Sequence, residues 1–272
     1  MSLFASDLDG TLKLWQQEYA PEDLQLLREL GEQGIVRAIA TGRNLLFAKK
    51  VIPSDFPIDY LIFSSGAGIV RWSDQQLVFK ETIAPKATEA MIDTLQQLEL
   101  NFMVHLAIPE EHRFFYRQNK ESASSDYLRR LDNNRAFARP LDPDIAPFPA
   151  TQALAIIREN EARLAEVAAA LPYLKVIRTT SPLDPRYTWI EIFSSSVSKG
   201  AAVQRLCERF DLSLDDTFGI GNDYNDTDLL EATGESWVMA SAPAPMRARY
   251  RCCPADQGVA HAVRSWLDRR QG

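Results

Sequence analysis

Asp7 and Asp9 stand two residues apart where the apolar start of FASDLDGTL breaks into Gly-Thr. On an extended chain, residues i and i+2 project to the same side. Two carboxylates held that close repel, and one must keep its proton unless a cation joins them. A hard divalent ion with oxygen ligands, Mg²⁺ above all, meets that requirement. A second run of acids and amides, Gly221-Asn222-Asp223-Tyr224-Asn225-Asp226, follows the apolar TFGI and could hold a metal from the opposite side. Thr41-Gly42-Arg43 follows VRAIA and offers a hydroxyl and a glycine amide at a helix entrance, a natural seat for an oxyanion. Lys199, near a helix start and followed by Gly200, can set a point charge on an anion. Each group has a plainer structural use: a capped turn, a threonine N-cap, a solvated lysine. Their common placement at strand ends is what makes them specific.

The elements that must position them follow from the pattern of apolar residues. SLFASDL reads as a short buried strand, and APEDLQLLRELGEQG as a helix with Pro21 in its first turn and Leu24, Leu27 and Leu30 on one face. IVRAIAT is a second strand, GRNLLFAKKVI a helix, and DYLIFSSGAGIV a third strand. Strand and helix alternating at this spacing predict a parallel sheet, Rossmann-like, with helices on its faces and its site at the carboxyl ends of the strands. The same pattern returns from SVSKGAAVQRLCERF to the closing helix QGVAHAVRSWLDRR. Between them lies a different rhythm of helix, strand, strand, twice over, which predicts a small open sheet with helices on one side. The fold class is therefore α/β, with residues 1–83 and 188–272 as the core and an inserted α+β domain over 84–187. Its hinges are expected near Ile83–Pro85 and Pro185–Thr188.

The chain has 272 residues, a net charge of −7 and a sequence pI near 5.1. That balance argues against nucleic acid or an anionic membrane as a partner, but leaves room for an anionic small substrate. Three cysteines, two of them adjacent, make a poor disulfide framework and favour a reducing, cytoplasmic setting. Neither a signal peptide nor a membrane-spanning run is expected.

Four segments, DLDGT, ATGR, SKG at a helix head and GNDYND, resemble the four motifs of the haloacid dehalogenase superfamily of phosphohydrolases. The large insertion between the second and third resembles the capped, Cof-type sugar-phosphatase branch. The resemblance spans essentially the whole chain. It implies a Mg²⁺-dependent phosphatase acting on a small phosphorylated metabolite, a sugar phosphate first, with the insertion as a cap. It implies that Asp7 is the nucleophile that becomes an aspartyl-phosphate and Asp9 the general acid and then base. Thr41, the Gly42 amide, Lys199 and Asn225 would hold phosphoryl oxygens. The metal would bind the Asp7 carboxylate, the Asp9 carbonyl and a group from Asn222, Asp223 or Asp226. Dehalogenase members generally lack the second aspartate, so Asp9 favours phosphoryl transfer. Two departures stand out: the fourth motif usually begins Gly-Asp where Asn222 stands here, and Ser65-Gly66-Ala67 replaces an Asn-Gly-Ala common in the branch. Two alternatives remain: a phosphomannomutase-like transferase, and a sensor of phosphometabolites without turnover, suggested by Asn222.

Overall fold

A computed structural model describes residues 1–14, 17–119, 123–255 and 257–271. The chain opens with β1 (Leu3–Asp7), α1 (Pro21–Glu32), β2 (Val36–Ala40), α2 (Leu45–Lys49), β3 (Tyr60–Phe63), β4 (Gly68–Arg71) and β5 (Gln76–Lys80). It continues through α3 (Pro85–Gln97), β6 (Phe102–Leu106), β7 (Phe114–Arg117), α4 (Ser125–Asn133), β8 (Ala138–Pro140), β9 (Ala150–Arg158), α5 (Glu161–Ala170), β10 (Leu174–Thr180) and β11 (Tyr187–Ser194). It ends with α6 (Lys199–Phe210), β12 (Thr217–Gly221), α7 (Thr227–Ala232), β13 (Glu235–Val238), α8 (Ala244–Arg249), β14 (Arg251–Cys252) and α9 (Val259–Gln271). Two compact units result, one of Met1–Arg43, Phe47–Phe79 and Ser198–Gly272, the other of Asn44–Leu46 and Lys80–Val197.

The first unit is built on a sheet in the order β14-β13-β12-β1-β2-β3-β4-β5. Every pairing from β14 to β3 is parallel, and β3 turns back antiparallel into β4. β1 lies between β12 and β2 and is buried along its whole length, which suits its unbroken apolar start. Its alternate residues serve two cores. Leu3 and Ala5 pack with Ala202, Val203 and Leu206 of α6, while Phe4 stacks on Phe218, which in turn meets Trp266 of α9. The edge hairpin from β4 to β5 has no counterpart in the sequence reading, and α2 is shorter than GRNLLFAKKVI suggests.

Helix α9 is tied to α1 by a buried carboxylate. Asp23 Oδ1 accepts the Ala260 N–H at 2.8 Å, and burial pushes Asp23 from 3.8 up to about 6 against that hydrogen bond. A raised carboxyl stabilises the fold most below its ordinary value, and that contribution is lost as pH rises through about 6. Asp23→Asn keeps an acceptor for Ala260 and removes the buried charge. Its stability advantage over the wild type should grow between pH 4 and pH 7 to at most about 3 kcal/mol, read by urea unfolding across that range. A constant difference would mean that Asp23 does not titrate on folding.

The second unit has a sheet in the order β10-β11-β9-β6-β7-β8. Alternation along its strands is plain. Phe102, Val104, Ala153 and Ala155 pack with Met91, Ile92 and Leu95 of α3 and Val167 of α5. Met103, Leu154, Ile156 and Trp189 face the other way, onto Tyr127 and Leu131 of α4. The expectation of helices on one side only is thus corrected. Helix α4 was hidden because it is mostly polar and buries only Asp126, Tyr127 and Leu131. Its start is marked by Ser124, whose side chain accepts the Tyr127 N–H, and Asp126 is satisfied by Ser181 and the Trp189 indole. Strand β11 pairs with both β9 and β10, so the boundary expected at residue 187 falls at its first residue. Among the described residues, no helix is long and apolar enough to cross a membrane.

Candidate active site

Asp7 ends β1 at the middle of the first sheet's carboxyl edge. The chain then reverses in a tight turn, with Gly10 N–H donating to Lys13 O at 2.9 Å and Lys13 N–H to Leu8 O at 2.8 Å. Gly10 has φ +85°, and a Cβ there would lie 2.5 Å from the Asn222 amide. Backbone sign and close approach together require glycine.

Lys199 enters from the first residue of α6, which Ser198 caps by accepting the Ala201 N–H at 3.0 Å. Its side chain is fully buried, and Nζ donates to Asp7 Oδ1 and Asp226 Oδ1 at 2.6 Å each. Burial works to lower the ammonium, but Asp226 and Asp7 overcome it and hold Lys199 above its ordinary value. Burial, and then the charge of Asp226, push the Asp7 carboxyl up against the pull of Lys199. With both carboxyls ionised, one ammonium leaves this triangle a positive charge short, and a proton on Asp7 or a bound cation makes up the difference. Asp226 is committed on both oxygens, since its Oδ2 accepts the N–H groups of Asn222 at 2.7 Å and Asp223 at 3.0 Å. Asp223 and Asn225 lie half-buried in the short turn that follows β12.

The Asn222 side chain lies against Gly10. The head fits two ways: with Oδ1 inward it accepts the Thr11 hydroxyl at 3.1 Å, and with the amide turned, as its oxygen-only neighbours favour, Nδ2 donates to the Asp9 carbonyl, Asp7 Oδ2 and Thr11 Oγ1 at 3.1 Å each. Adjacent oxygens around an octahedral Mg²⁺, with bonds of about 2.1 Å, lie about 3 Å apart. The amide head therefore stands at ligand spacing from a carboxylate oxygen and from a main-chain carbonyl, both hard donors, in a region short of positive charge. Asp7, the Asp9 carbonyl and Asn222 fit such an ion; Asp226 is spoken for. Among the described residues, no set of three His, Cys, Asp or Glu side chains converges on a metal, so this cradle depends on a carbonyl and an amide.

Asp9 points to a different partner. Arg43 grips it with Nε on Oδ2 and a terminal nitrogen on Oδ1, both at 2.7 Å. Sequence reasoning quoted Arg43 beside Thr41 and Gly42 but gave it no role. Its one signal in the sequence was its place directly after Thr41-Gly42; the fork that an arginine presents to a carboxylate finds its partner only in the fold. Thr41 is buried, and its Oγ1 accepts the Arg43 N–H at 3.1 Å. The tip of β3 steadies this loop: Ser64 N–H donates to Arg43 O at 2.8 Å and Ser65 N–H to Thr41 O at 3.0 Å. Ser64 and Ser65 do so at φ 47° and 53°, a left-handed conformation that non-glycine residues seldom adopt. Ser65 thus serves the backbone of the Thr41 loop. The structure brings Asp7, Asp9, Thr41, Gly42, Asn222, Asp223, Asn225 and Asp226 to neighbouring strand ends of one sheet, and Lys199 reaches them from the start of α6. Within the insertion, Arg178 pairs with Glu159 and Glu161, and Arg186 with Asp184. His105 is buried, with Nδ1 on Glu111 O.

The family model described as haloacid dehalogenase-like hydrolase matches residues 4–263. The chain belongs to that family. Related proteins include an HMP-PP phosphatase of Cronobacter sakazakii, 24% identical over 98% of this chain and 96% of the relative. A putative phosphatase of Mycoplasma pneumoniae is 25% identical over 86% and 85% of the two chains. Among solved structures, a haloacid dehalogenase-like hydrolase from B. subtilis matches with a TM-score of 0.74 at 20% identity, covering 97% and 99% of the two chains. A sugar phosphatase of HAD subclass IIB matches with a TM-score of 0.72 at 18% identity, covering 98% and 99%. The fold of this HAD-like hydrolase is accordingly the α/β fold of the family, and the protein is an enzyme of the phosphoric monoester hydrolase class.

Proposed function

We propose that this hydrolase is a Mg²⁺-dependent phosphatase of small phosphorylated metabolites, sugar phosphates first, working through an aspartyl-phosphate on Asp7. The observation that carries the reading is the buried triangle of Asp7, Lys199 and Asp226 at the centre of the sheet's carboxyl edge. Relatives named for HMP-PP and sugar phosphates support the substrate class.

Asp7 attacks phosphorus, its carboxylate oxygen forming the new P–O bond as the ester P–O bond breaks. Asp9 gives its proton to the departing alcohol, then takes one from the water that cleaves the acyl phosphate and frees inorganic phosphate. Arg43 holds the ionised Asp9 by both oxygens and fixes its orientation; one of these two hydrogen bonds opens when Asp9 takes up the proton that it delivers to the leaving oxygen. Thr41, the Gly42 N–H, Lys199 and Asn225 hold the phosphoryl oxygens. Asp226 takes no part in bond making; it orients Lys199 and fixes the Asn222 and Asp223 amides. Held by Asp7, the Asp9 carbonyl and Asn222, Mg²⁺ would neutralise charge gathering on the transferred group. In the role of a cap, the inserted unit would choose the leaving group.

The test is release of inorganic phosphate from a panel of phosphorylated sugars, nucleotides and cofactors. Turnover should vanish with EDTA and return with Mg²⁺. Hydrolysis untouched by EDTA would remove the metal from the mechanism, and isomerisation of a hexose phosphate without phosphate release would make the enzyme a transferase.

A further inference from the structure

We infer that Asn222 is a built-in stand-in for the cation: its amide NH2 bridges Asp7 and Asp9 in the metal-free protein, and turns to present Oδ1 when a metal enters. The inference rests on the Mg²⁺ reading above and deepens it.

Three observations carry it. First, the partners of the amide head are an Asp7 carboxylate oxygen, the Asp9 carbonyl and the Thr11 hydroxyl, each 3.1 Å away. The first two can only accept, and the hydroxyl can accept as well, so the NH2 group suits all of them. Secondly, the residue is anchored at its main chain and packed closely at its head. Its own N–H is pinned by Asp226 Oδ2 at 2.7 Å, and its head lies where a Cβ on Gly10 would collide. What remains free is rotation about the last side-chain bond, a soft, nearly two-fold torsion that exchanges nitrogen for oxygen in place. Thirdly, the head lies at ligand spacing from two hard oxygens beside a triangle short of positive charge. An aspartate at position 222 would be a better ligand once the ion is bound, but a third carboxylate in a crowded place without it. Asparagine reverses both effects. It quiets the repulsion in the metal-free chain and makes loading compete with hydrogen bonds that must first break.

The experiment compares wild type with Asn222→Asp and Asn222→Ala, by thermal unfolding in EDTA and in Mg²⁺, and by calorimetric titration with Mg²⁺ alone. In EDTA both variants should melt at least about 2–4 °C below wild type. In Mg²⁺, Asn222→Asp should recover and bind the ion about tenfold or more tightly than wild type, because ligand charge sets affinity. Asn222→Ala should gain nothing. Equal stability of wild type and Asn222→Asp in EDTA, or equal Mg²⁺ affinity, overturns the inference while the Mg²⁺ reading stands. Should Asn222→Asp fail to fold without metal, the side-chain amide NMR pair that Asn222→Ala deletes decides. It must shift on Mg²⁺ addition in the wild type, and indifference overturns the inference. If Mg²⁺ yields no heat, no melting shift and no spectral change in wild type or variant, the Mg²⁺ reading itself falls and this inference with it.

Discussion

Asp7→Asn should lower kcat for every phosphorylated substrate by at least about 10⁴-fold, while the protein stays folded. The substitution is nearly isosteric and leaves an oxygen for Lys199 Nζ, now 2.6 Å from Asp7 Oδ1. It removes the carboxylate, the only group in the scheme able to form the covalent intermediate. Stability should hold or rise, since a buried carboxylate that its surroundings push toward protonation is gone. Phosphate release and thermal melting, measured on one preparation, separate the two effects. Turnover within tenfold of wild type would assign the nucleophile elsewhere. Asp9→Asn offers the chemical contrast: it should hurt alkyl phosphates far more than aryl phosphates whose leaving group needs no proton.

Lys199→Met should destabilise the fold by about 3–5 kcal/mol and abolish turnover. With the ammonium removed, Asp7 and Asp226 would share a buried space with nothing positive between them; the three side chains are now 7% exposed or less. Loss of a surface ion pair would cost about 1 kcal/mol or less, so urea unfolding discriminates sharply. Adding Asp226→Asn to the same chain should restore part of the stability without restoring activity, because neighbouring substitutions do not add. A Lys199→Met protein as stable as wild type would show that the carboxylates meet through their protons rather than through the lysine.

Much of the candidate site could be read from local sequence because its residues sit at strand tips, where an apolar run stops and polar residues begin. DLDGT, TGR, SKG and GNDYND are short, and each lies next to the strand or helix that carries it. What local reading could not supply was pairing across the sheet. Asp226 looked like a metal ligand from its neighbours, yet its oxygens are taken by a lysine 27 positions away and by two amides of its own turn. Arg43 and Asp9 are 34 positions apart, joined only once β1 and β2 lie side by side. In the fold, the parallel sheet was legible from its buried runs, whereas α4 was not, because it is short and mostly polar and buries only Asp126, Tyr127 and Leu131.

Gly66, at φ +104°, leaves no space for a side chain: a Cβ there would lie 2.2 Å from the Ser198 carbonyl and 3.3 Å from the Lys199 nitrogen. Ser64 and Ser65, just before it, grip the loop of Thr41. The β3 tip is therefore a keystone between two arms of the site that share no covalent neighbourhood. A single methyl group at Gly66 would be felt as a misdirected charge on Asp7, far from where the damage was done, and drift in this tripeptide must be coordinated with both arms at once.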